Sequence, residues 1–391
     1  MTTLQSYRSK AERLVAGVMS GTSLDAVDVA LVRVGGTGEA LHHELVGFHA
    51  VPFDAGMRVR LLDASAGTMP ARELFELESD LGACYAEAIA NACDAYGVAA
   101  ADLDAIGLHG QTVYHAPRRV PNGVTVQLAG AAIVCERLGV LVVHDFRTAD
   151  VAAGGEGAPL VPYCDYVLLR SPHANRVALN IGGIANVTWL PRGVRPEQVI
   201  AFDTGPGNML IDAAMRELYD RDMDLGGSIA AVGTVQEDWL ATLLQDEYYA
   251  WPPPKSAGRE RFGEEVGRRL AREGMGRGMR SQDVIATLAC LTARTIAHSV
   301  RRFAAGDESV DEMIVGGGGL RNAAMMRMLA AELPDCTIRD VGEYGLPADA
   351  KEAICFAILA NETLMETPAN LPSVTGARRP VICGAIRLPS A

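Results

Sequence analysis

The sequence predicts an α/β protein of two domains, and three observations carry that expectation. Apolar runs of strand length alternate with stretches of helical periodicity. At 391 residues the chain exceeds one ordinary core, so two domains of similar size follow. A strand, a glycine turn and a second strand at residues 18–28 (VMSGTSLDAVD) recur at residues 177–190 (VALNIGGIANVTWL), as in a duplicated unit. The expected division puts residues 1–142 with 372–391 in the first domain and 143–371 in the second.

The elements follow in order. Residues 14–34 read as two strands broken by the turn Ser20, Gly21, Thr22, Ser23, and 44–53 as a third. Leu74, Leu77, Leu81, Tyr85 and Ile89 recur at helical spacing in a segment that Gly97 stops. A short strand, 105–108, delivers residues 109–117 (HGQTVYHAP), which read as a loop, before a helix at 131–138 and a strand at 140–144. The second half repeats this order with strands at 177–180, 187–190 and 199–202 and a helix at 209–218. Residues 251–255 (WPPPK) form a surface loop or lid, because three consecutive prolines lack N–H donors. A helix over 283–303 puts Val284, Leu288, Leu291, Ile296, Val300 and Phe303 on one face. Residues 314–322 (IVGGGGLRN) then lead an apolar run into a helical stretch with Met325, Met326 and Leu329.

Bulk properties exclude several function classes. A net charge of −13 and a pI near 5.1 argue against a nucleic-acid partner, which needs clustered Lys and Arg. No apolar run has membrane-spanning length and the N-terminus has no signal-peptide core, so a cytoplasmic protein without a membrane partner is expected. The eight cysteines are scattered with no C-x-x-C pair, as reduced core thiols would be, and His109 and His115 have no ligating Cys nearby.

What remains is a set of residues suited to a nucleotide. A tight turn of Gly, Ser and Thr points backbone N–H groups and hydroxyls into one small space, which suits a phosphate chain. The third glycine run opens a helix, where a ligand can lie flat on the backbone. Asp203, in residues 202–208 (FDTGPGN), is the strongest catalytic candidate, placed where an apolar strand ends beside a loop too small to cover it; an ordinary helix cap is its alternative. Asp212 reads as an ordinary helix residue. Asp25 and Asp28 follow the first turn and suit Mg²⁺ held through water, although Asp28 also fits a solvent-side strand position. His109, Gln111, Thr112 and His115 offer donors and acceptors for a polyhydroxylated substrate, as would any polar turn. Lys255, Arg259 and Arg261 fit a phosphate or a carboxylate, or a solvated charge run.

Two related domains that each offer a glycine hairpin toward a shared nucleotide and substrate cleft look like the actin, Hsp70 and sugar-kinase superfamily, whose fold is ribonuclease H-like. More specifically, GVMSGTSLDAVD, GLHGQTVYHAP, DFRTAD, GGEGAPLVP, LNIGGIANV, FDTGPGN, KSAGRERF, VGGGGLRN and EYGLPADAKEAICFAILA, in this order, resemble the anhydro-N-acetylmuramic acid kinases of bacterial cell-wall recycling. The resemblance implies an enzyme using ATP and Mg²⁺ that opens 1,6-anhydro-N-acetylmuramic acid and phosphorylates O6, giving N-acetylmuramate 6-phosphate. It places ATP against Gly21, Thr22, Ser23, Leu24, Asp25, Ala26, Val27 and Asp28, with Gly182, Gly183, Gly205, Gly207, Asn208, Gly316, Gly317, Gly318 and Asn322. It makes Asp203 the general base, assigns the sugar to His109, Gln111, Thr112, Arg147 and Glu352, and leaves a homodimer compatible. Ala149, Ala129, Ala26 and Glu156 depart from the family pattern, the first where a second arginine is expected and the last where Gln is usual. Two alternatives stand beside this reading: a kinase of the same fold acting on a different sugar or small acid, and a nucleotide-regulated binding module.

Overall fold

The computed structural model describes residues 3–21, 24–306 and 308–390. The chain divides into two compact units, Met1–Leu168 with Ala350–Ala391, and Leu169–Asp349.

In the first unit, β1 (Glu12–Met19), β2 (Ala26–Gly35) and β3 (His42–Pro52) form an antiparallel meander, and β4 (Ala105–Leu108) pairs with β1 in parallel. The hairpin of β5 (Gln111–Ala116) and β6 (Val124–Leu128) stands apart, and β7 (Val142–His144) pairs with β4 in parallel. The second unit repeats the plan: β8 (Arg176–Ile181), β9 (Ile184–Leu190) and β10 (Ile200–Pro206) are antiparallel, while β11 (Glu312–Gly316) and β12 (Thr337–Asp340) extend the sheet in parallel from β8. A last strand, β13 (Ala385–Arg387), returns to the first sheet beside β7. The orders β3-β2-β1-β4-β7 and β10-β9-β8-β11-β12 are the same topology used twice, which is the duplicated ribonuclease H-like plan of an actin-like fold.

The central strands are apolar on both faces because both are covered. On one face of the first sheet lies the helix Ala71–Ala95, whose Leu77, Leu81, Tyr85 and Ile89 are fully buried as their spacing predicts. On the other lies the helix Lys351–Leu364, buried along nearly its whole length. This helix comes close because β1 and β4 carry no side chain where it crosses. A Cβ at Gly17 would stand 1.9 Å from the Ala353 carbonyl oxygen, and one at Gly107 would stand 2.1 Å from that of Phe356.

That packing moves both domain boundaries from their expected places. Residues 143–168 and 350–371 belong with the first unit, since β7 pairs with β4 and the helix Lys351–Leu364 covers the first sheet. A buried ion pair, Lys351 Nζ to Asp165 Oδ1 at 2.6 Å, fastens the helix Val161–Leu169 to it. Residues 111–116, expected as loop, pair with β6, and the segment 117–123 with its two prolines turns the hairpin. In the second unit the helix Ser281–Ser299 forms the centre of the core and runs on as a π-helical segment, Val300–Ala305. All eight cysteines are free thiols, six of them buried. Among the described residues no helix is long and apolar enough to cross a membrane.

Candidate active site

Three glycine-bearing segments distant in sequence meet in the second unit. The β8–β9 turn is Gly182–Gly183, and the residues after β10 dock on its carbonyls: Gly207 N–H donates to Gly183 O at 2.8 Å, Asn208 N–H to Gly182 O at 2.8 Å, and Met209 N–H to Gly183 O at 3.2 Å. Gly207 has no room for a side chain there, since a Cβ would lie 2.2 Å from Gly182 O. Gly317 combines a φ of +79° with the same crowding, 2.7 Å from Ile181 O, so only glycine fits comfortably. Asn208 Nδ2 donates to Ile181 O at 3.3 Å and ties this knot to the end of β8. Asn322 caps the helix Ala323–Glu332 by accepting from Met325 N–H at 3.0 Å.

The knot leaves a side-chain-free, solvent-facing backbone at Gly182, Gly183, Gly317 and Gly318. Among the described residues no hydrogen bond occupies the N–H groups of Gly183 and Gly317. A phosphate chain or ribose fits such a surface. The N–H groups of Gly207 and Asn208 are spent inside the knot, so these two residues shape the surface rather than donate to a ligand.

Asp203 sits within β10 at a bulge between Asp203 and Gly205, not beyond the strand's end as expected. The helix cap alternative fails, because the helix Met209–Tyr219 starts after Asn208 and has no side-chain cap. Instead Asp203 Oδ2 accepts the Ala257 N–H at 2.9 Å. Its main chain is held too: Asp203 N–H donates to Lys255 O at 3.1 Å, and the Tyr248 hydroxyl donates to Asp203 O at 2.8 Å. Burial pushes its carboxyl up to about 6, against the opposing pull of the Ala257 N–H and the Lys255 charge. Asp212 is also pushed up to about 6, chiefly by burial, with Arg216 opposing and Asp222 and Asp224 adding repulsion. Its place in the first turn of the helix Met209–Tyr219 among other acids gives it no such grip.

Lys255 and Arg261 do not lie open for a phosphate. Lys255 is only 8% exposed, and its Nζ lies 4.6 Å from the Tyr248 ring centre, 4.9 Å from Phe303 and 5.8 Å from Phe202. Arg261 pairs with Asp246 at 2.6 Å and Glu247 at 3.3 Å. The Arg259 side chain lies outside the described residues.

In the first unit the turn between β1 and β2 is braced from beneath. Ser20 is buried, with its hydroxyl 2.8 Å from that of Tyr85, and Gln111 Nε2 donates to Gly21 O at 3.3 Å. Thr22 and Ser23 lie outside the described residues. Leu24 takes a φ of +56°, a strained value for a branched side chain, and buries that side chain in the core, as Val27 does. Any contact these two make with a ligand is therefore through the backbone. Ala26 opens β2 opposite Pro52, Asp28 stands half-buried opposite Met19, and Asp25 is exposed. Among the described residues no cluster of three or more His, Cys, Asp or Glu side chains could hold a metal. An Mg²⁺ at Asp25 and Asp28 would thus keep most of its ligands as water and phosphate oxygens, which suits that ion.

Gln111 is buried and Thr112 accepts from Gln127 Nε2 at 3.3 Å, so both belong to the β5–β6 hairpin that supports the turn. His109 and Arg147 form one unit. The His109 Nδ1 lies 2.6 Å from Gly110 O, which can only accept, so Nδ1 carries the proton and Nε2 accepts from Arg147 Nε at 3.0 Å and Nη2 at 2.8 Å. Burial and the Arg147 charge hold the imidazole neutral. Arg147 Nη1 donates to Gly157 O at 2.9 Å, and burial lowers the guanidinium to about 10 with Glu352 opposing. Glu352, in the first turn of the helix Lys351–Leu364, is solvent-accessible but hemmed in by enough protein to raise its carboxyl, against the pull of Arg147 and Lys351. His109, Arg147 and Glu352 thus form one electrostatic group. Glu156 pairs at the surface with Arg118 at 2.5 Å.

Sequence reasoning missed Asp150. It is fully buried and joins three segments: Oδ1 accepts from Asn370 Nδ2 at 2.6 Å and Thr375 Oγ1 at 2.7 Å, while Oδ2 accepts the Gly157 N–H at 2.7 Å. The only hint was an acid close to the Gly154–Gly157 loop; its other two partners, Asn370 and Thr375, lie more than two hundred residues on.

The family description "Anhydro-N-acetylmuramic acid kinase" matches residues 13–389. An anhydro-N-acetylmuramic acid kinase of Caldanaerobacter subterraneus subsp. tengcongensis is 41% identical over 390 residues, covering 97% of this chain and 98% of the relative. One of Salinibacter ruber is 40% identical over 395 residues and covers 100% of both. Among solved structures, component A of the (R)-2-hydroxyglutaryl-CoA dehydratase of Acidaminococcus fermentans superposes with a TM-score of 0.46 at 11% identity, covering 91% of this chain and 100% of that one. The full-length matches at this identity leave no gap for a different assignment: the chain belongs to the anhydro-N-acetylmuramic acid kinase family.

Proposed function

We propose that this protein is an ATP-dependent kinase that hydrolytically opens 1,6-anhydro-N-acetylmuramic acid and phosphorylates O6, giving N-acetylmuramate 6-phosphate, with Asp203 as the general base. The observation that carries the role of Asp203 is its setting: a residue held by one loop, through one hydrogen bond to its carboxylate and two on its main chain, partly accessible, with its proton affinity raised to about 6 by burial. A base poised there is ionised at neutral pH and still accepts a proton readily.

One base suffices for this reaction. A glycosidase normally needs a second carboxyl to protonate the leaving oxygen. Here O6 of the anhydro bridge leaves the anomeric carbon and bonds to the γ-phosphorus, so phosphoryl capture takes the place of protonation. Asp203 takes one proton from the water that attacks the anomeric carbon. The γ-phosphorus would part from the oxygen that joins it to the β-phosphate, so ADP leaves as O6 bonds, and a Mg²⁺ held through water by Asp25 and Asp28 would offset the charge on the phosphates. In the second unit the backbone of Gly182, Gly183, Gly317 and Gly318, shaped by Gly205, Gly207, Asn208, Gly316 and Asn322, is assigned to ATP; in the first unit residues 21–28 are assigned to ATP, and Asp25 and Asp28 would hold Mg²⁺ through water. Arg147 and Glu352 are assigned to the sugar; His109, buried with both ring nitrogens bonded, orients Arg147 rather than touching the sugar, and Gln111 and Thr112 support the end of β1.

Asp203→Asn tests the assignment, since the amide keeps size and cannot take the proton. Turnover falls by about a thousandfold or more while ATP binding, followed by calorimetry, survives. Near-normal turnover contradicts the base role, and lost ATP binding makes Asp203 structural.

A further inference from the structure

The loop that grips Asp203 is closed by a buried cation. Residues 248–257 supply the partners of all three hydrogen bonds described above: the Tyr248 hydroxyl and the Ala257 N–H donate to Asp203, and Lys255 O accepts from the Asp203 N–H. This loop contains three prolines in a row and lies in neither helix nor strand from Trp251 on, so no backbone ladder fixes its shape. What closes it is Lys255: the ammonium reaches back over the loop and donates to Tyr248 O at 3.1 Å. The rings of Tyr248, Phe303 and Phe202 surround the same ammonium, and two of them sit beside the residues being held, Phe202 next to Asp203 in β10 and Tyr248 in the loop itself. A lysine buried under aromatic faces with a carbonyl acceptor is unavailable to solvent ligands and is held by the cage.

We propose that Lys255 is a positioning residue for Asp203: its caged ammonium locks residues 248–257 in the shape in which the loop grips both the main chain and the carboxylate of Asp203. The inference rests on Asp203 being the base. It assigns to Lys255 no contact with substrate or phosphate. The Lys255 charge also favours the ionised carboxylate, and the carboxylate favours the ammonium, which burial and Arg302 pull down to about 8. The charged and titratable groups around the pair are Tyr248 in the same loop, Arg261 over the Tyr248 ring, Arg302 in the π-helical segment and His298 in the helix before it. Partial desolvation and the neighbouring cations Arg302, Lys255 and Arg301 lower the His298 imidazole below its ordinary range.

The test is the pH dependence of kcat for Lys255→Met and Lys255→Arg, with Asp203→Asn alongside and the unfolding temperature of each variant recorded. For Lys255→Met the acid limb moves to higher pH by about half to one unit and kcat at neutral pH falls by about tenfold, with the KM for ATP unchanged. Lys255→Arg keeps a cation in the cage and leaves the acid limb in place. A Lys255→Met acid limb and kcat like those of the unaltered protein overturn the inference, and so does a KM for ATP that rises while kcat holds, which is the mark of a phosphate ligand. If Lys255→Met does not fold, Tyr248→Phe decides: removing the hydroxyl that donates to Asp203 O lowers kcat about fivefold at constant KM, and an unchanged kcat overturns the inference. An inactive Asp203→Asn with an unmoved Lys255→Met limb contradicts this inference alone. An active Asp203→Asn contradicts the base assignment and this inference with it.

Discussion

Asp203 and Asp150 are both carboxylates in hydrogen-bonded settings, and their surroundings divide the labour between them. Asp150 is fully buried and its oxygens take three protein donors, which is a structural use of charge. Removing it strands the Gly157 N–H, the Asn370 amide and the Thr375 hydroxyl, so Asp150→Ala lowers stability by about 3 kcal/mol, read from denaturant unfolding. Asp203 keeps part of its surface open and its carboxyl is raised to about 6. A base must be unprotonated to act, so kcat falls roughly tenfold per unit as pH drops below about 6 and levels off above it, in steady-state assays. Asp203 was legible in the sequence because a polar residue after an apolar strand and before two glycines is conspicuous. Lys255 reads in sequence as a phosphate or carboxylate contact or as part of a solvated charge run, because its neighbours Arg259 and Arg261 are charged, while Phe202 and Phe303 that cage it are remote in sequence.

At the scale of elements, glycines decide how closely backbones approach. Gly17 and Gly107 let the helix Lys351–Leu364 lie on β1 and β4, so Gly107→Ala forces the strand and helix apart and destabilises the protein by about 3 kcal/mol, measured as a lower unfolding temperature. Gly207→Ala drives a methyl into Gly182 O and separates the β8–β9 turn from the end of β10. ATP binding then weakens by about tenfold or more in titration calorimetry, with secondary structure by circular dichroism retained. The glycine turns were readable because tight backbone geometry restricts residue type directly. The β5–β6 hairpin was not, because its strands are short and the prolines and Gly123 between them read as loop. Nor were the unit boundaries: the helix Lys351–Leu364 looks in sequence like any buried helix, and only its seat on Gly17 and Gly107 shows which sheet it covers.

For the whole molecule, the repeated strand order was legible as a recurring strand, glycine turn and strand, and the sheets carry that duplication through β11 and β12. Family membership follows from motifs spread over residues 13–389. The chemistry assigned to the protein makes one demand that no ordinary sugar kinase meets, because water and phosphoryl group must both enter the product. Mass spectrometry of the product formed from Mg·ATP and the 1,6-anhydro sugar tests this most directly. The expected product is heavier than the sugar by one phosphoryl group and one water, with neither addition without the other. A product carrying the phosphoryl group alone, with the anhydro bridge intact, would contradict it.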